Sequence, residues 1–381
     1  MKPQEDDIVL KLLHTADWHL GRRFPAFGTE ASMTLSRART DVLVRLFRAA
    51  DRHRVDAVLC AGDLFDDANP PQEFRDALAS VLEQTAPERP IFLLPGNHDP
   101  FLPDSVWADP VFRRRLPKHV TVVEAATTYA LPHGARLFAV PCVSRAGQAD
   151  PTTSIPKREP GDEGLRIGLV HGSTFDAADA QTNFPISKDA AVDRGLDYLA
   201  IGDTHGFRFI PPDRPHPPTI YPGAPEPTAF DEKDPGHVAV VFLTRARRSQ
   251  VQKERVATWT WEEARATSLA DLRQLVSRSD LRSRVLRLTV DLTLDAPGLE
   301  EAERLLRQLE GDAARPAMVG VLDLRTERLE LDLSTSDAWT TELPEVLQEA
   351  VKRLKAQAAA QPEAKRALFH LYQATRQKKA S

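Results

Sequence analysis

Short apolar runs alternate with helical stretches from the start of the chain to about residue 243, the sequence habit of an α/β sandwich. The runs 8–14, 56–64, 90–94, 120–124, 136–140, 165–170, 198–201 and 237–243 read as strands, and 31–54 and 72–85 read as helices. Proline and glycine cluster over 143–164 and again over 211–227, and both stretches read as loops.

From Thr258 to Ser334 the texture changes. A helix over 269–276, an alternating run over 285–294, a charged helix over 299–309 and a second alternating run over 319–333 predict a small α+β domain. Beyond it Leu343, Val346, Leu347, Ala350, Val351 and Leu354 fall at helical spacing, and Pro362 opens a second helix carrying Leu368, Leu371 and Tyr372. From Val351 onward there are eight Lys/Arg against one Glu, so the polar face of this helix pair is basic. The expected domains are 1–257, 258–340 and a C-terminal helical segment 341–381.

A chain of 381 residues that is 41% hydrophobic and 28% charged is neither disordered nor fibrous. It has no run near the roughly 18 apolar residues of a spanning helix, and its first ten residues carry acids where a signal peptide carries bases, so the expected location is cytoplasmic. Cys60 and Cys142 sit in apolar runs and read as buried thiols. A formal charge of -5 excludes an overall basic coat but leaves room for a local basic path on which nucleic acid binds.

Five segments share one design: LLHTADWHL, VLCAGDLF, LLPGNHDP, GLVHGS and YLAIGDTHG each end an apolar strand in Asp, His or Asn. The carboxyl end of a strand is where an open sheet presents side chains to a ligand. Asp17 and His19 flank one residue, so one turn can aim both at one ion. Gly62 allows a tight bend that leaves Asp63 at a strand tip, able to offer one oxygen to each of two ions. Asn97 and His98 follow Gly96, and His171, Asp203 and His205 complete the set.

Oxygen ligands mixed with imidazole, without thiolate, suit manganese, iron or zinc better than calcium or a structural zinc. Asp17, Asp63 and Asp203 brought within about 4 Å would repel by roughly 1 to 4 kcal/mol per pair, a cost that cations remove. Two ions about 3.5 to 4 Å apart can clamp a phosphate and activate a water. His98 is then the group free to protonate or support the leaving alkoxide.

The ordered set Asp-x-His, Gly-Asp, Gly-Asn-His-Asp, His and Gly-x-x-His, spanning Thr15 to Gly206, resembles the calcineurin-like metallophosphoesterase superfamily. Within it, HTADWHLG, AGDLFDDANPP and LPGNHD are similar to the SbcD-type DNA-repair exonucleases, and YPGAPEPTAFDEKDPG resembles the segment that closes their catalytic domain. The resemblance implies a four-layer α/β/β/α metallophosphoesterase sandwich with a small α+β cap domain and C-terminal helices. It also implies two divalent ions, manganese foremost, with magnesium, iron and zinc as alternatives. One would be held by Asp17, His19, Asp63 and His205, the other by Asp63, Asn97, His171 and Asp203.

Family members usually carry histidine where this chain has Asp203, a change that favours harder metals. Some carry a further histidine where Asp66 stands, so Asp66 reads as a surface or supporting residue. Trp18 reads as packing for the first loop, and Arg22 and Arg23 either meet phosphates or form a solvated pair.

The leading expectation is a manganese-dependent DNA exonuclease or endonuclease in DNA repair. By resemblance it partners an SMC-like ATPase of the SbcC type through its C-terminal helices, with a homodimer a further expectation and no membrane. The helix pair either grips a coiled coil or folds back on the chain's own core. Two other readings stay open: the same chemistry on nucleotides, phosphomonoesters or phosphoproteins, and a non-catalytic assembly subunit.

Overall fold

The computed structural model describes residues 7–86, 88–175, 183–213, 217–311, 316–331, 340–341, 343–358 and 361–380. Two compact units divide the chain, Met1–Thr260 and Trp261–Ser381. The first begins β1 (Ile8–Thr15), α1 (Gly28–His53), β2 (Ala57–Ala61), α2 (Gln72–Leu82), β3 (Ile91–Leu94), α3 (Pro110–Arg115) and β4 (Val120–Val122). It continues through β5 (Thr127–Ala130), β6 (Arg136–Val140), β7 (Arg166–His171), β8 (Ser173–Phe175), β9 (Pro185–Ser187), α4 (Ala190–Asp193) and β10 (Tyr198–Gly202). It closes with β11 (Arg208–Ile210), β12 (Thr219–Tyr221), β13 (His237–Thr244) and β14 (Ser249–Arg255).

Two six-stranded sheets result, ordered β14-β13-β1-β2-β3-β4 and β11-β12-β10-β7-β6-β5. Their central strands run parallel, β1 to β4 in one and β6, β7, β10 and β12 in the other, and antiparallel strands lie outside them. Side chains alternate across a strand, so each central strand feeds two cores and must be apolar along its whole length. Leu10, Leu12, Leu59 and Leu94 of the first sheet meet Leu137, Ile167, Leu169 and Ile220 of the second in a core between the sheets. Leu13, Val58, Cys60 and Leu93 point the other way, onto Leu43, Leu46 and Phe47 of α1 and Leu78 and Leu82 of α2. The outer face of the second sheet packs Phe138, Val170, Leu199 and Ile201 against Ala190 and Ala191 of α4 and against Ile155. These layers make the expected four-layer α/β/β/α sandwich. Cys60 and Cys142 are buried free thiols, and among the described residues no helix is long and apolar enough to cross a membrane.

Two sequence expectations change. The stretch 211–227, read as loop, contains β12, which pairs parallel with β10 and antiparallel with β11. Its entry proline costs the sheet nothing there, because the carbonyl of Pro218 accepts from the Leu199 amide at 2.6 Å while its missing N–H is not called on. The run 56–64 leaves the sheet at Ala61, because Gly62 and Asp63 both take positive φ, 89° and 54°.

In the second unit β15 (Thr260–Ala266), α5 (Leu269–Val276), β16 (Arg284–Leu294), α6 (Ala296–Glu310) and β17 (Val321–Leu331) form a three-stranded sheet, β15-β16-β17, with two helices. β16 and β17 are parallel, so α6 is the crossover between them. Leu286, Leu288, Val290 and Leu292 alternate inward against Leu299, Leu305, Leu306 and Leu309 of α6. Ser268 and Asp271 close a reciprocal capping box at the start of α5. The last helices, α7 (Glu345–Ala358) and α8 (Pro362–Ala380), pack on each other through Val351, Ala358, Ala364 and Leu368. Tyr372 and Phe369 of α8 join the core of the small sheet, so part of its apolar stripe is spent on the chain itself.

Leu59 is 0% exposed between the sheets and Met33 is 68% exposed on α1. Leu59→Ala is expected to cost about 2 to 5 kcal/mol and lower the urea midpoint, whereas Met33→Ala stays within about 0.5 kcal/mol of the wild type. Equal midpoints for the two variants would contradict the assigned core.

Candidate metal centre

The loops after β1, β2 and β3 of one sheet, and β7 and β10 of the other, run into one corner at the carboxyl ends of their strands. Backbone bonds lock them together: Asp17 N–H donates to Gly62 O at 3.0 Å, His19 N–H to Asp63 O at 2.9 Å, and Gly172 N–H to Gly202 O at 3.2 Å. The Asp203 N–H donates to the Asp17 carboxylate at 3.0 Å and so ties the two sheets. Asp17, His19, Asp63 and Asp203 all hold positive φ, at 56°, 45°, 54° and 107°. Such conformations cost on the order of 1 to 3 kcal/mol each and persist only where the surroundings impose them.

Gly62 shows why this corner needs glycine. Its φ is +89°, and a Cβ there would overlap Nδ1 of His171. The imidazole occupies the volume that any larger residue would take.

All seven expected metal-binding side chains meet here. His19 Nε2 and His205 Nε2 stand 3.1 Å apart, and His171 Nε2 lies 2.8 Å from Asn97 Oδ1 and 3.8 Å from Asp203 Oδ1. Asp63 Oδ2 sits between the two halves, 3.9 Å from His19 Nε2 and 3.4 Å from His171 Nε2. Asp17, His19 and His205 form one group whose candidate donor atoms all lie within 4.8 Å of one another, and Asp17, Asp63 and His171 form a second. The sequence leaves Asp63 able to offer one oxygen to each of two ions. In the structure Oδ1 accepts from the His98 N–H at 2.9 Å and Oδ2 is the oxygen near His19 and His171.

Each of the three imidazoles is turned by an oxygen on its far nitrogen. Nδ1 of His171 donates to Ala61 O at 2.8 Å, Nδ1 of His19 to Asp66 at 3.1 Å, and Nδ1 of His205 to Glu232 at 2.6 Å. This selects the tautomer whose Nε2 lone pair faces the centre, the arrangement that metal-binding histidines adopt. Acceptor nitrogens only 3.1 Å apart, beside buried carboxylates, are a donor set that a divalent cation fits.

The ionisable groups shift one another: burial opposes charge on His171 and His205, yet Asp63 for the one and Glu232 for the other overcome it and raise both imidazoles. Burial pushes the Asp17 carboxyl up to about 7, and burial lowers His19 to about 4. Burial also works against ionisation of Asp63, but His171 and His19 overcome it and hold that carboxyl well below its ordinary range. Burial opposes charge on Glu232 too, and its bond to His205 again wins.

His98 stands at the edge, with its ring perpendicular to that of His19 and the centroids 4.8 Å apart. Its Nδ1 donates to Asp66 O at 3.2 Å, which leaves Nε2 unclaimed by that bond. Trp18 is wholly buried, bonded to Thr15 Oγ1 and packed on Phe47, so it supports the loop as expected. Asp66 orients His19 and meets Arg22 at 3.5 Å, which of the two expected readings is the supporting one.

Three supports escape a reading of the sequence. Asp99 accepts from the amides of Leu64, Phe65 and Gly96 at 3.0, 3.0 and 2.8 Å and clamps the second loop to the third. Arg39, fully buried on α1, donates to the carbonyls of Trp18, Glu226, Pro227 and Asp17 at 2.7, 2.9, 3.2 and 3.2 Å. Glu232 also accepts from Thr228 N–H at 2.9 Å, so it braces its loop as well as His205. Asp99 ends the Gly-Asn-His-Asp segment and Glu232 lies in YPGAPEPTAFDEKDPG, so both had a signal; Arg39 looks like any arginine of an amphipathic helix.

Gly62→Ala is expected to displace His171. Thermal unfolding should then lose the rise expected of the wild type on adding a divalent ion, about 4 kcal/mol at a thousandfold excess over Kd. A retained rise would show that His171 and the ion do not need this close approach.

A family model described as calcineurin-like phosphoesterase matches residues 10–207. The uncharacterized metallophosphoesterase YhaO of Bacillus subtilis (strain 168) is 26% identical over 273 residues, covering 67% of this chain and 62% of that protein. The SbcD subunit of the SbcCD nuclease from the same organism is 38% identical over 94 residues, 24% of this chain and 22% of the relative. The corresponding SbcD subunit from Rhodobacter capsulatus is 33% identical over 171 residues, 43% of this chain and 39% of the relative. The chain thus spans less than two thirds of the length of each of these relatives. The family match takes in all seven candidate metal-binding side chains and just over half of the 381 residues, and the chain belongs to the calcineurin-like phosphoesterase family.

Proposed function

We propose that this protein is a two-metal phosphodiesterase that cleaves DNA in repair or processing, together with an SMC-like ATPase. The observation that carries the metal chemistry is the set of three imidazoles, each anchored through Nδ1 and each turning Nε2 toward the carboxylates around Asp63 Oδ2. In this reading Asp17, His19, Asp63 and His205 would hold one ion and Asp63, Asn97, His171 and Asp203 the other, with Asp63 shared by the two sets. When bound, the two ions supply Lewis acidity toward phosphate oxygens and lower the pKa of water at the site.

The chain's own residues do the rest. Water, giving one proton up to solvent, would add to phosphorus as the bond to the ester oxygen breaks, and His98 would pass that departing oxygen a proton or stabilise its charge. Asp66 holds His98 through its carbonyl and His19 through its carboxylate, so one residue sets the distance between metal edge and proton donor. Asp17 and Asp203, linked through the Asp203 amide, keep the first and fifth loops in register. The carboxylate of Asp203 favours manganese or magnesium over softer ions.

DNA as substrate is supported by the relatives named as nuclease subunits. Their naming as one member of a pair also supports a partner, and the helices α7 and α8 are its proposed seat. Val346 of α7 is 80% exposed and gives that seat an apolar contact. Residues 1–257 would then carry the nuclease, 258–340 a cap, and 341–381 the partner-binding segment.

The test is cleavage of end-labelled duplex and single-stranded DNA with manganese, magnesium or chelator, beside a phosphoserine peptide. Manganese-dependent cleavage of DNA with little action on the peptide is expected, and the reverse preference would overturn the substrate. Asp63→Ala should lose both ions and activity. His98→Ala should keep its ions and slow turnover by about two to four orders of magnitude. Near-normal turnover in that variant would remove His98 from the mechanism.

A further inference from the structure

Beside Asp203 and His205 the surface opens into a groove of about 400 Å³ whose lining includes Arg22, Thr204, Arg208 and Lys233. Arg208 and Lys233 are exposed, and among the described residues neither has an ion-pair partner within 4 Å. Arg22 leans on Asp66 at 3.5 Å, with both side chains about one-third exposed. Of the acids on the same lining, Asp203 faces His171 and Glu232 is engaged with His205 and Thr228. Asp231 remains as the one other lining carboxylate.

The two uncommitted cations are fixed relative to the metal corner. Arg208 begins β11, where its backbone is in register with Tyr221 of β12. Gly206 lies so close to the Lys233 carbonyl that a Cβ there would overlap it, and Phe207 N–H donates to Asp234 O at 3.2 Å. The segment bearing Lys233 is therefore seated on the segment that runs from His205 to Arg208. Ala224 N–H, donating to His205 O at 2.9 Å, holds the other side.

A nucleic-acid strand carries a negative charge about every 3.4 Å along its axis, so a phosphate held at the ions brings its neighbours past this lip. An isolated phosphate ester has no second phosphate to offer. We infer that the groove between Arg22, Arg208 and Lys233 binds the phosphate next to the scissile one, and so selects a polynucleotide backbone over single phosphate esters. Contacts of this kind position a strand without reading its bases. The inference rests on the nucleic-acid reading above and adds the residues that would enforce it.

The experiment compares the full chain with Arg208→Ala/Lys233→Ala, using Arg208→Lys as the conservative control. Hydrolysis of an end-labelled oligonucleotide and of bis(4-nitrophenyl) phosphate is measured, and oligonucleotide binding in chelator is followed against salt. In the double variant the oligonucleotide KM should rise roughly tenfold with kcat within about twofold, so preference for the oligonucleotide over the small diester falls about tenfold. The log–log salt slope for single-stranded binding should shrink by about 1.4. Arg208→Lys should retain most of the binding.

An unchanged KM and slope, or equal losses on both substrates, would overturn the inference. A wild type that hydrolyses the small diester yet neither binds nor cuts the oligonucleotide would overturn it while leaving a metallophosphoesterase. A wild type whose binding depends on the two residues, but which cuts nothing, would overturn the nuclease reading and with it the inference that the bound phosphate neighbours a scissile one.

Discussion

Carboxylates and imidazoles withdrawn from water repel and compete unless something positive lies between them. Asp17, His19, Asp63 and His171 are all nearly inaccessible, and Nε2 of His19 and of His171 lie 3.9 and 3.4 Å from Asp63 Oδ2. The rest of the first unit is arranged so that this corner can exist. The strands supply rigid ends, the positive-φ residues turn the chain sharply away from them, and glycine leaves room for the imidazole.

A second layer converts that corner from a meeting of side chains into a defined geometry. Asp99 fixes the loops that bear Asp63 and Asn97, and burial pushes its own carboxyl above the usual range. Arg39 reaches from α1 into the carbonyls of the first metal loop and of the loop at 226–227, and burial brings its guanidinium down to about 10. The carboxylate of Glu226 in turn accepts from Arg45 and from the amides of Thr258 and Trp259. The helical layer thereby holds the metal loops as well as covering the sheet.

Much of this was legible in one dimension because a parallel central strand must be apolar throughout and must stop abruptly where chemistry begins. Asp17, Asp63, Asn97, His171, Asp203 and His205 each follow such a stop. What stayed hidden depends on partners far away in sequence. Arg39 bonds to backbone carbonyls, which no side-chain pattern advertises. The His98 amide donates to one oxygen of Asp63, a bond across 35 residues that no local pattern announces. The strand 219–221 was masked by its prolines, since a three-residue element with a proline at its entry has no periodicity to read.

The central claim is that one oxygen of Asp63 lies between two cations. Anomalous diffraction from crystals grown in manganese tests it most directly. Two peaks flanking Asp63 Oδ2, one toward His19 and His205 and one toward His171 and Asn97, are predicted. Under saturating manganese, a corner without density, or a lone ion bound away from Asp63, would contradict the account.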